Sequence, residues 1–370
     1  MTDPNERILF LPEVIAWGGA ERSFLTLCGW LHQKGLPHRL LVYWDEIGLE
    51  RFAGFPLEKT ALNPSRGALH KVKALRRYFT TGPRPLFSPL MSGYQPALHA
   101  TLAGLPSFHC FMHDTESLFA DWDQPKSWKT RLRRSINRRV LHHGLSRGVT
   151  IVSSEFLQQD TQRLYGVAPR IARIGTEPGE FRLRPVHTTL QMLSVSRVER
   201  NKRIDWILQA LGALENRDEP LSRRVDWRFT VAGSGAELEN LRAMSEHLGL
   251  AGRVRFPGFI PDEHLAALYS EADLFLMPAR QGYGMPALEA LHRGIPVVLH
   301  RESGVSDLLL STPWAKVFAG GPAELAEALE AMIAALIAGR HLDTPLPEIP
   351  TEAQWAERVA SLCGWIPGNQ

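Results

Sequence analysis

Short apolar segments alternate with longer helical segments twice along this chain of 370 residues. The first half holds five apolar segments of strand length, at Arg7–Leu11, His38–Trp44, Leu86–Pro89, Phe108–His113 and Val149–Ser153. The second half restarts the cycle with five more, at Gln191–Ser196, Arg228–Ala232, Val254–Phe256, Leu274–Met277 and Val297–His300. Stretches between them, such as Ala20–Lys34, carry apolar residues at helical spacing. This repetition predicts parallel sheets built from βαβ units.

The number of strands favours two sheets rather than one. Ten strands in a single open sheet would be unusual, and the periodicity is interrupted near Phe181–Thr189. A chain of this length can bury two separate cores. We therefore predict an α/β protein with a Rossmann-like N-terminal domain over residues 1–184 and a Rossmann-like C-terminal domain over residues 189–345. Residues 346–370 are predicted to form a tail helix that packs back towards the N-terminal domain.

Composition and charge exclude several classes of protein. Cys28, Cys110 and Cys363 lie far apart and lack the spacing of a disulfide framework or a zinc site. The net charge of +3 is too small to favour nucleic-acid binding. The N-terminal residues lack a signal-peptide pattern, and no apolar run approaches the roughly 18 residues of a membrane span. These features favour a soluble protein of the reducing cytoplasm.

Cations and glycines follow three of the predicted strands in the second half. Arg197 ends one strand, and Lys202 follows five residues later beside a predicted helix start, where two cations can hold a diphosphate. Gly233 and Gly235 form a turn after the next strand, where a glycine lets the backbone approach a ligand. Gly258 and Phe259 end the third strand, where a backbone edge can pair with a nucleobase. Each signal is weak alone and is equally compatible with an ordinary turn or a solvated cation.

The segment 280–298 carries the most specific signal. Gly282, Tyr283 and Gly284 precede a predicted helix that begins at Met285-Pro286, and proline suits a first turn because its missing N–H is not needed there. The free N–H groups of that turn favour an anion. Glu289 lies one turn inside the helix, where its carboxylate can accept hydrogen bonds from two ribose hydroxyls.

Taken together, these motifs resemble a known family. Residues 191–310 resemble the donor-binding domain of glycosyltransferase family 4, whose members are retaining enzymes of the GT-B fold with two Rossmann-like domains facing across a cleft. The first half resembles it more loosely, at the glycine loop Gly18-Gly19 and at the strand-end His113. The resemblance implies a nucleoside-diphosphate sugar as donor, UDP- or GDP-linked, transferred with retention, without a metal or other cofactor. It implies catalytic roles for Arg197, Lys202, His113 and the residue at 281, and a glycan or lipid-linked glycan of the cell envelope as acceptor.

One position departs from the family pattern. Gln281 stands eight residues before Glu289, where the family has its first glutamate. Glutamine keeps the capacity for hydrogen bonds but removes the charge. Three interpretations stay open: altered sugar selectivity, slower turnover, or a non-catalytic sugar-nucleotide-binding relative. A GT-B sugar-nucleotide epimerase is a further alternative, whereas a dinucleotide-dependent oxidoreductase would need a Gly-x-Gly-x-x-Gly turn that the first strand lacks.

A basic stretch in the first half bears on partners. Residues 126–143 place Trp128, Leu132, Ile136 and Val140 four residues apart among six Lys and Arg between 129 and 139. This pattern fits a basic amphipathic helix on the inner face of an anionic membrane. It equally fits a domain helix that packs its apolar stripe and solvates its basic face. Loops at Leu62–Ala74 and Ser92–Pro96 are expected to face the acceptor.

Overall fold

A computed structural model describes residues 4–82, 84–119, 128–177, 179–181 and 186–367. The chain forms two compact units, Met1–Gly175 together with Pro350–Gln370, and Thr176–Ile349. The first unit thus ends before the predicted boundary at residue 184, and the chain re-enters it at residue 350. Close backbone packing explains the earlier boundary, since a β-carbon on Gly175 would lie 2.0 Å from the Thr351 carbonyl. Residues 182–185 of the break that the sequence shows near Phe181–Thr189 lie outside the described residues.

The first unit is built on a parallel sheet of seven strands in the order β5-β3-β1-β6-β7-β8-β9. A small parallel pair, β2 with β4, accompanies it. The strands are β1 Arg7–Phe10, β2 Glu13–Val14, β3 His38–Val42, β4 Trp44–Asp45, β5 Lys59–Ala61, β6 Leu90–Ser92, β7 His109–Met112, β8 Thr150–Val152 and β9 Arg170–Ile171.

The sequence predicts a strand at Leu86–Pro89, but the structure has this strand at Leu90–Ser92, so the prediction is wrong in position. Pro85 and Pro89 leave that segment short of the N–H donors that a ladder needs. The strand begins after Pro89, whose carbonyl accepts a hydrogen bond from the His109 N–H at 2.8 Å.

Six helices connect these strands, because the segments between them carry apolar residues at helical spacing. They are α1 Gly19–Gln33, α2 Glu50–Ala53, α3 Ala68–Thr81, α4 Tyr94–Ala103, α5 Trp128–Leu145 and α6 Glu155–Tyr165. In α1, for example, Phe24, Leu27 and Leu31 are completely buried. A one-turn 3₁₀ helix lies at Glu116–Phe119.

The second unit contains a parallel sheet of six strands in the order β12-β11-β10-β13-β14-β15. Its strands are β10 Thr189–Val195, β11 Asp226–Ala232, β12 Val254–Gly258, β13 Leu274–Met277, β14 Val297–His300 and β15 Ala315–Phe318. Its helices are α7 Ile204–Glu215, α8 Leu221–Arg224, α9 Leu238–His247, α10 Asp262–Glu271, α11 Met285–His292 and α12 Pro322–Ile337, with 3₁₀ turns at Arg200–Lys202 and Ser306–Leu308. The prediction of two parallel-sheet Rossmann-like domains is confirmed.

The tail helix α13, Glu352–Leu362, belongs to the first unit. Thr351 and Gln354 form a capping box at its start, which satisfies two backbone donors. The Glu352 carboxylate accepts a hydrogen bond from Arg22 on α1 at 2.9 Å. Trp355 is buried and meets the Phe111 ring edge-on, with the ring centroids 5.5 Å apart. The helix predicted within residues 346–370 is therefore α13, and it helps to build the core of the first unit.

Candidate active site

The predicted donor residues of the second unit all follow the C-terminal ends of neighbouring strands. Phe259 follows β12, Gly233 follows β11, Arg197 follows β10 and Gln281 follows β13. These four strands are adjacent in the sheet, and parallel strands end at one edge. The structure therefore brings the four segments together, as the sequence predicts.

The chain reverses its winding direction between β10 and β13. From β10 it proceeds outwards to β11 and β12, and then returns to the other side at β13. Open α/β sheets bind ligands at such a switch point, outside the carboxyl ends of the strands. Here the two loops are joined, because the Arg280 N–H donates to the Asn201 carbonyl at 2.9 Å.

Lys202 and Gln281 meet at this switch point. The Lys202 Nζ donates a hydrogen bond of 2.5 Å to the Gln281 Oε1. An ammonium group has no acceptor, so the amide oxygen is the atom that must face it. The Gln281 Nε2 points the other way, 3.0 Å from the Met277 sulfur and 3.4 Å from the Ser303 hydroxyl. The glutamine is thus held at both ends of its amide.

This contact determines the charge of the pair. Glutamine accepts the Lys202 hydrogen bond without neutralising the ammonium, whereas a glutamate in the same place would form an ion pair with it. The Lys202–Gln281 pair therefore keeps a net charge of about +1 at the edge where an anionic ligand is expected.

Arg197 has a different environment. Its side chain is 74% exposed and pairs with Glu199 at 2.8 Å. An exposed ion pair of this kind contributes little to stability, so Arg197 can exchange Glu199 for a ligand at small cost. The role of Arg197 as a diphosphate contact stays a prediction.

Gly233 and Gly235 have a structural role that the sequence does not reveal. A β-carbon on Gly233, whose φ is +143°, would lie 1.8 Å from the Ser196 carbonyl oxygen. One on Gly235 would lie 2.2 Å from the Val198 carbonyl oxygen. Both glycines let the loop after β11 pack against the loop after β10 that carries Arg197. They shape the site through this packing, and direct contact with a ligand stays a prediction.

Gly258 and Phe259 end β12 beside that loop. Gly258 has a φ of +82°, a backbone conformation that favours glycine, and its carbonyl accepts from the Gly233 N–H at 2.8 Å. The Phe259 side chain is 73% exposed. An exposed aromatic ring next to a backbone edge suits the predicted contact with a nucleobase.

The segment before α11 is built around Gly284. A β-carbon there would lie 2.7–2.8 Å from Met277, Gln281 and Ser303 side-chain atoms, and the φ of +139° also favours glycine. Gly282 and Tyr283 are buried beside it, and Met285 and Pro286 begin the helix as predicted. Gly284 therefore allows the loop to fold tightly over the Gln281 amide.

Glu289 is half-buried on α11, and its position depends on Tyr269. The Tyr269 hydroxyl donates to a Glu289 carboxylate oxygen at 3.3 Å. Arg293, one turn further along, donates to the Glu289 carbonyl at 2.8 Å and lies over the Tyr269 ring. The sequence did not single out Tyr269, because its contact with Glu289 crosses from α10 to α11.

The sequence pattern also did not single out Arg203 and Glu302. Arg203 has a φ of +52°, which is uncommon for a residue with a side chain. Its guanidinium pairs with Glu302 at 2.6 Å and so joins the loop after β10 to the loop after β14. The acidic Glu302 is the second residue after β14 and precedes Ser303-Gly304, a strand-end pattern that could have drawn attention to it.

Gly18 and Gly19 begin α1 in the first unit. The Gly18 carbonyl accepts from the Arg22 N–H at 3.0 Å, and a β-carbon on Gly19 would meet nothing within 4 Å. Open space at a helix start suits an anion. Glu21 lies in the same first turn, however, with a carboxylate oxygen 3.0 Å from where a Gly18 β-carbon would be. The predicted contact of these glycines with the donor stays open to test.

His113 follows β7 at the same sheet edge as the glycine loop. Its ring lies against Phe24 and Phe111, with centroids 5.7 and 4.8 Å away. Burial lowers the pKa of His113 to about 4, so the ring is neutral near pH 7. Its buried Nε2 has no hydrogen-bond partner within the described part of the chain. A neutral imidazole can hydrogen-bond to a sugar hydroxyl, and a sugar would reach this nitrogen only after the side chains that bury it move aside.

The basic helix α5 leaves much of its apolar stripe uncovered. Trp128, Leu132 and Ile136 are 69%, 52% and 52% exposed, whereas Leu141 and Leu145 near its end are buried. Residues 126 and 127 lie outside the described residues. The interpretation that α5 packs its whole stripe into the domain is therefore wrong for the first half of the helix.

The described residues contain neither a candidate metal-binding cluster nor a candidate membrane span. No group of three His, Cys, Asp or Glu is placed there to hold a metal ion. No helix in those same ranges has the length and apolar character to cross a bilayer. Metal independence stays a prediction.

Comparisons with known proteins agree with this geometry. Residues 179–342 match the family model described as glycosyl transferases group 1. The chain is 31% identical to the putative colanic acid biosynthesis glycosyltransferase WcaL of Escherichia coli (strain K12) over 149 residues, 38% of this chain and 35% of that protein. The chain spans about a third of the length of the curated relatives it matches.

Two solved structures share the fold over nearly the whole chain. WaaG, a glycosyltransferase involved in lipopolysaccharide biosynthesis, superposes with a TM-score of 0.68 at 18% identity, covering 96% of this chain and 99% of WaaG. Anabaena Alr3699/HepE in complex with UDP gives a TM-score of 0.66 at 18% identity, covering 96% of this chain and 94% of HepE. At this identity the likeness shows the fold, which is the GT-B type predicted from the sequence.

Proposed function

We propose that this protein is a hexosyltransferase that uses a nucleoside-diphosphate sugar, because residues 179–342 match the glycosyl transferases group 1 model. The observation that carries the proposal is the group of residues at the strand ends of the second unit, where Lys202 and Gln281 meet at the switch point. Glu289, positioned by Tyr269, supplies the carboxylate that binds ribose hydroxyls. HepE, which shares the fold, was solved with UDP.

The proposed chemistry needs stabilisation of negative charge. When the glycosidic bond to the diphosphate breaks, charge develops on the leaving phosphates. Arg197 and Lys202 stabilise that charge, and the loss of one such donor typically costs about 10²–10³ in rate. The neutral His113 orients the transferred sugar through its Nε2. Retention of configuration and metal independence are part of the proposal through the family resemblance.

The proposed acceptor is a glycan or lipid-linked glycan of the cell envelope. WcaL and WaaG are described as acting in colanic acid and lipopolysaccharide biosynthesis, and this is the support for an envelope acceptor here. The half-exposed stripe of α5 adds to it, because exposed apolar and basic side chains on one helix suit an anionic membrane surface.

The donor experiment measures binding and turnover separately. UDP- and GDP-linked sugars are screened by thermal shift, since a ligand that binds only the folded state raises its stability. Hydrolysis and transfer of the donor that binds are then measured. Binding with turnover supports the proposal. Binding without turnover supports the second candidate, a non-catalytic sugar-nucleotide-binding protein, which the absence of a glutamate at 281 favours.

Glu289→Ala tests the nucleotide site directly. Unpaired ribose hydroxyls should weaken nucleotide binding by about 1–3 kcal/mol. The matched control is Glu246→Ala, because Glu246 is exposed on α9 of the same unit and carries the same charge. Equal nucleotide affinity in the two variants, measured by calorimetry, would remove Glu289 from the site.

The membrane contact is tested by sedimentation with vesicles. Vesicles of phosphatidylcholine with phosphatidylglycerol should bind the protein, and vesicles of phosphatidylcholine alone should not. Leu132→Ser/Ile136→Ser should reduce binding, whereas Leu86→Ser/Leu102→Ser, which changes two exposed leucines elsewhere in the unit, should not. Binding that ignores the anionic lipid would contradict the role of α5.

A further inference from the structure

A pocket of about 530 Å³ lies in the first unit beside the end of β5. One wall is the segment after the strand, with Asn63 and Ser65, and the other is the face of α3 that carries His70, Lys73, Arg77 and Tyr78. The sequence predicted that Leu62–Ala74 faces the acceptor but showed no code for what the acceptor is. The side chains that line the pocket indicate which chemical group of an acceptor could bind there.

The lining of this pocket is basic and has no counter-charge. The sequence contains neither Asp nor Glu between Glu58 and Asp114. The side chains of His70, Lys73 and Arg77 make no hydrogen bond or ion pair with any residue that the structure describes. The neighbouring Lys71 is different, because it pairs with Glu13 and lies over the Trp44 ring. The cations that face the pocket are thus among those without a counter-charge in the described part of the chain.

The part of the pocket beside Leu62 and Asn63 lies at the edge of the sheet where ligands bind, and the rest extends along α3 to Thr81. β5 is parallel to β3 and β1, so its C-terminal end points to the same edge as the strand ends before Gly18 and His113. Asn63, the second residue after β5, has a φ of +44° and is held by a 2.9 Å hydrogen bond from its N–H to the Tyr43 carbonyl.

We propose that this pocket binds a phosphate group of the acceptor. Arg77 offers a planar fork of donors, Lys73 a point charge, and Ser65 and Asn63 neutral donors, a set that matches phosphate oxygens. A neutral glycan would favour carboxylates as acceptors for its hydroxyls, and the pocket lining has none. The volume suits one phosphorylated sugar or headgroup rather than a long glycan. The inference rests on the proposed function, since it names the class of acceptor.

The test compares two variants of equal charge. Lys73→Gln/Arg77→Gln removes two cations of the pocket, and Arg76→Gln/Arg84→Gln removes two exposed cations nearby that do not line it. The probe is glycerol 1-phosphate, titrated by calorimetry with the nucleotide site saturated by UDP or GDP. We expect the pocket variant to bind the probe at least about tenfold more weakly and the control to bind it like the unaltered protein. Equal binding by the two variants, or no binding by the unaltered protein, would overturn the inference.

Donor measurements separate this inference from the proposed function. Nucleotide affinity and donor hydrolysis should be the same in both variants, since the pocket serves the acceptor. Weaker nucleotide binding in the pocket variant would overturn the inference, because the pocket would then hold donor phosphates. Absence of nucleotide binding and hydrolysis in the unaltered protein would overturn the proposed function. If glycerol 1-phosphate binding still depended on Lys73 and Arg77, the phosphate site would be supported independently of that function.

A vesicle arm identifies the source of the phosphate. Binding to vesicles that contain phosphatidic acid, weakened by Lys73→Gln/Arg77→Gln but not by the control, supports a lipid headgroup. If Lys73→Gln/Arg77→Gln loses glycerol 1-phosphate binding but keeps vesicle binding, the result supports a phosphorylated glycan that the pocket binds away from the membrane surface.

Discussion

The hydrogen bond between Lys202 and Gln281 shows how a single residue changes the charge of the site. In the family pattern the residue at 281 is a glutamate, which would neutralise an ammonium group 2.5 Å away. Gln281 keeps the geometry, since its Oε1 accepts the same hydrogen bond, but it does not itself neutralise the ammonium group. Glutamine at 281 is therefore expected to strengthen the attraction of a diphosphate. It also removes a negative charge from beside the transferred sugar.

Gln281→Glu should weaken UDP binding by about tenfold, because an ion pair with Lys202 removes about one net positive charge from the site. The affinity should also depend less on salt concentration, since fewer charges attract the ligand. Calorimetric titrations of UDP at several salt concentrations measure both effects.

Gln281→Ala is the control for that prediction. It removes the hydrogen bond but keeps the charge of Lys202, so its UDP affinity should stay close to that of the unaltered protein. If both substitutions weaken UDP binding equally, the charge of Lys202 is not the cause.

Among the structural elements, the loops after neighbouring strands depend on each other. The loop after β11 packs against the loop after β10 through Gly233 and Gly235, and the loop after β14 contacts the loop after β13 through Ser303. Arg203 and Glu302 join the loops on either side of the switch point. The candidate donor site is therefore a set of packed loops, and a side chain added between two of them should displace both.

Gly235→Ala should destabilise the protein by about 1–3 kcal/mol, because its β-carbon would lie 2.2 Å from the Val198 carbonyl oxygen. Nucleotide binding should weaken as well, since the loop that carries Arg197 must move. Denaturant unfolding and nucleotide titration measure the two effects.

Gly252→Ala is the matched control, because a β-carbon there meets nothing within 4 Å. It should leave stability within about 0.5 kcal/mol. A Gly235→Ala variant as stable as this control would show that the two loops do not pack as described.

Across the part of the molecule that the structure describes, several histidines and cysteines are buried in their neutral forms. Burial lowers the pKa of six histidines from 6.5, namely His38, His99, His109, His113, His292 and His300. Burial also raises the pKa of all three cysteines, Cys28, Cys110 and Cys363, from 9.0. The folded state thus resists protonation of these histidines and ionisation of these thiols.

Stability should be greatest between about pH 7 and 8.5 and fall on both sides. Below pH 6.5 the unfolded chain takes up protons that the folded histidines do not, so the free energy of unfolding decreases as the pH falls. Above pH 9 the unfolded chain releases thiol protons that the folded chain retains, so the free energy of unfolding decreases again. Each displaced proton contributes about 1.4 kcal/mol per pH unit. Scanning calorimetry from pH 5 to 10 measures the profile, and an unfolding midpoint that is highest at pH 5.5 would contradict it.

The sequence by itself determined the fold class and indicated most residues of the candidate site. Strand–helix alternation predicted two parallel sheets because its period follows directly from how helices and strands bury apolar faces. Residues such as Arg197, Lys202, Gly284 and Glu289 were found because parallel strands end at one edge, so any polar residue that follows a strand is placed there by topology. The chain itself also shows the departure at Gln281.

Only the tertiary structure decided which side chains meet. The contact of Lys202 with Gln281, the support of Glu289 by Tyr269, and the packing that requires Gly235 all join residues from separate loops. The division of the chain at Gly175 and the place of α13 in the first unit depend on backbone packing between segments distant in sequence. The basic pocket beside α3 likewise required the fold, because helical periodicity does not reveal which cations lack a counter-charge. Such contacts depend on distances through space, which a pattern along the chain does not contain.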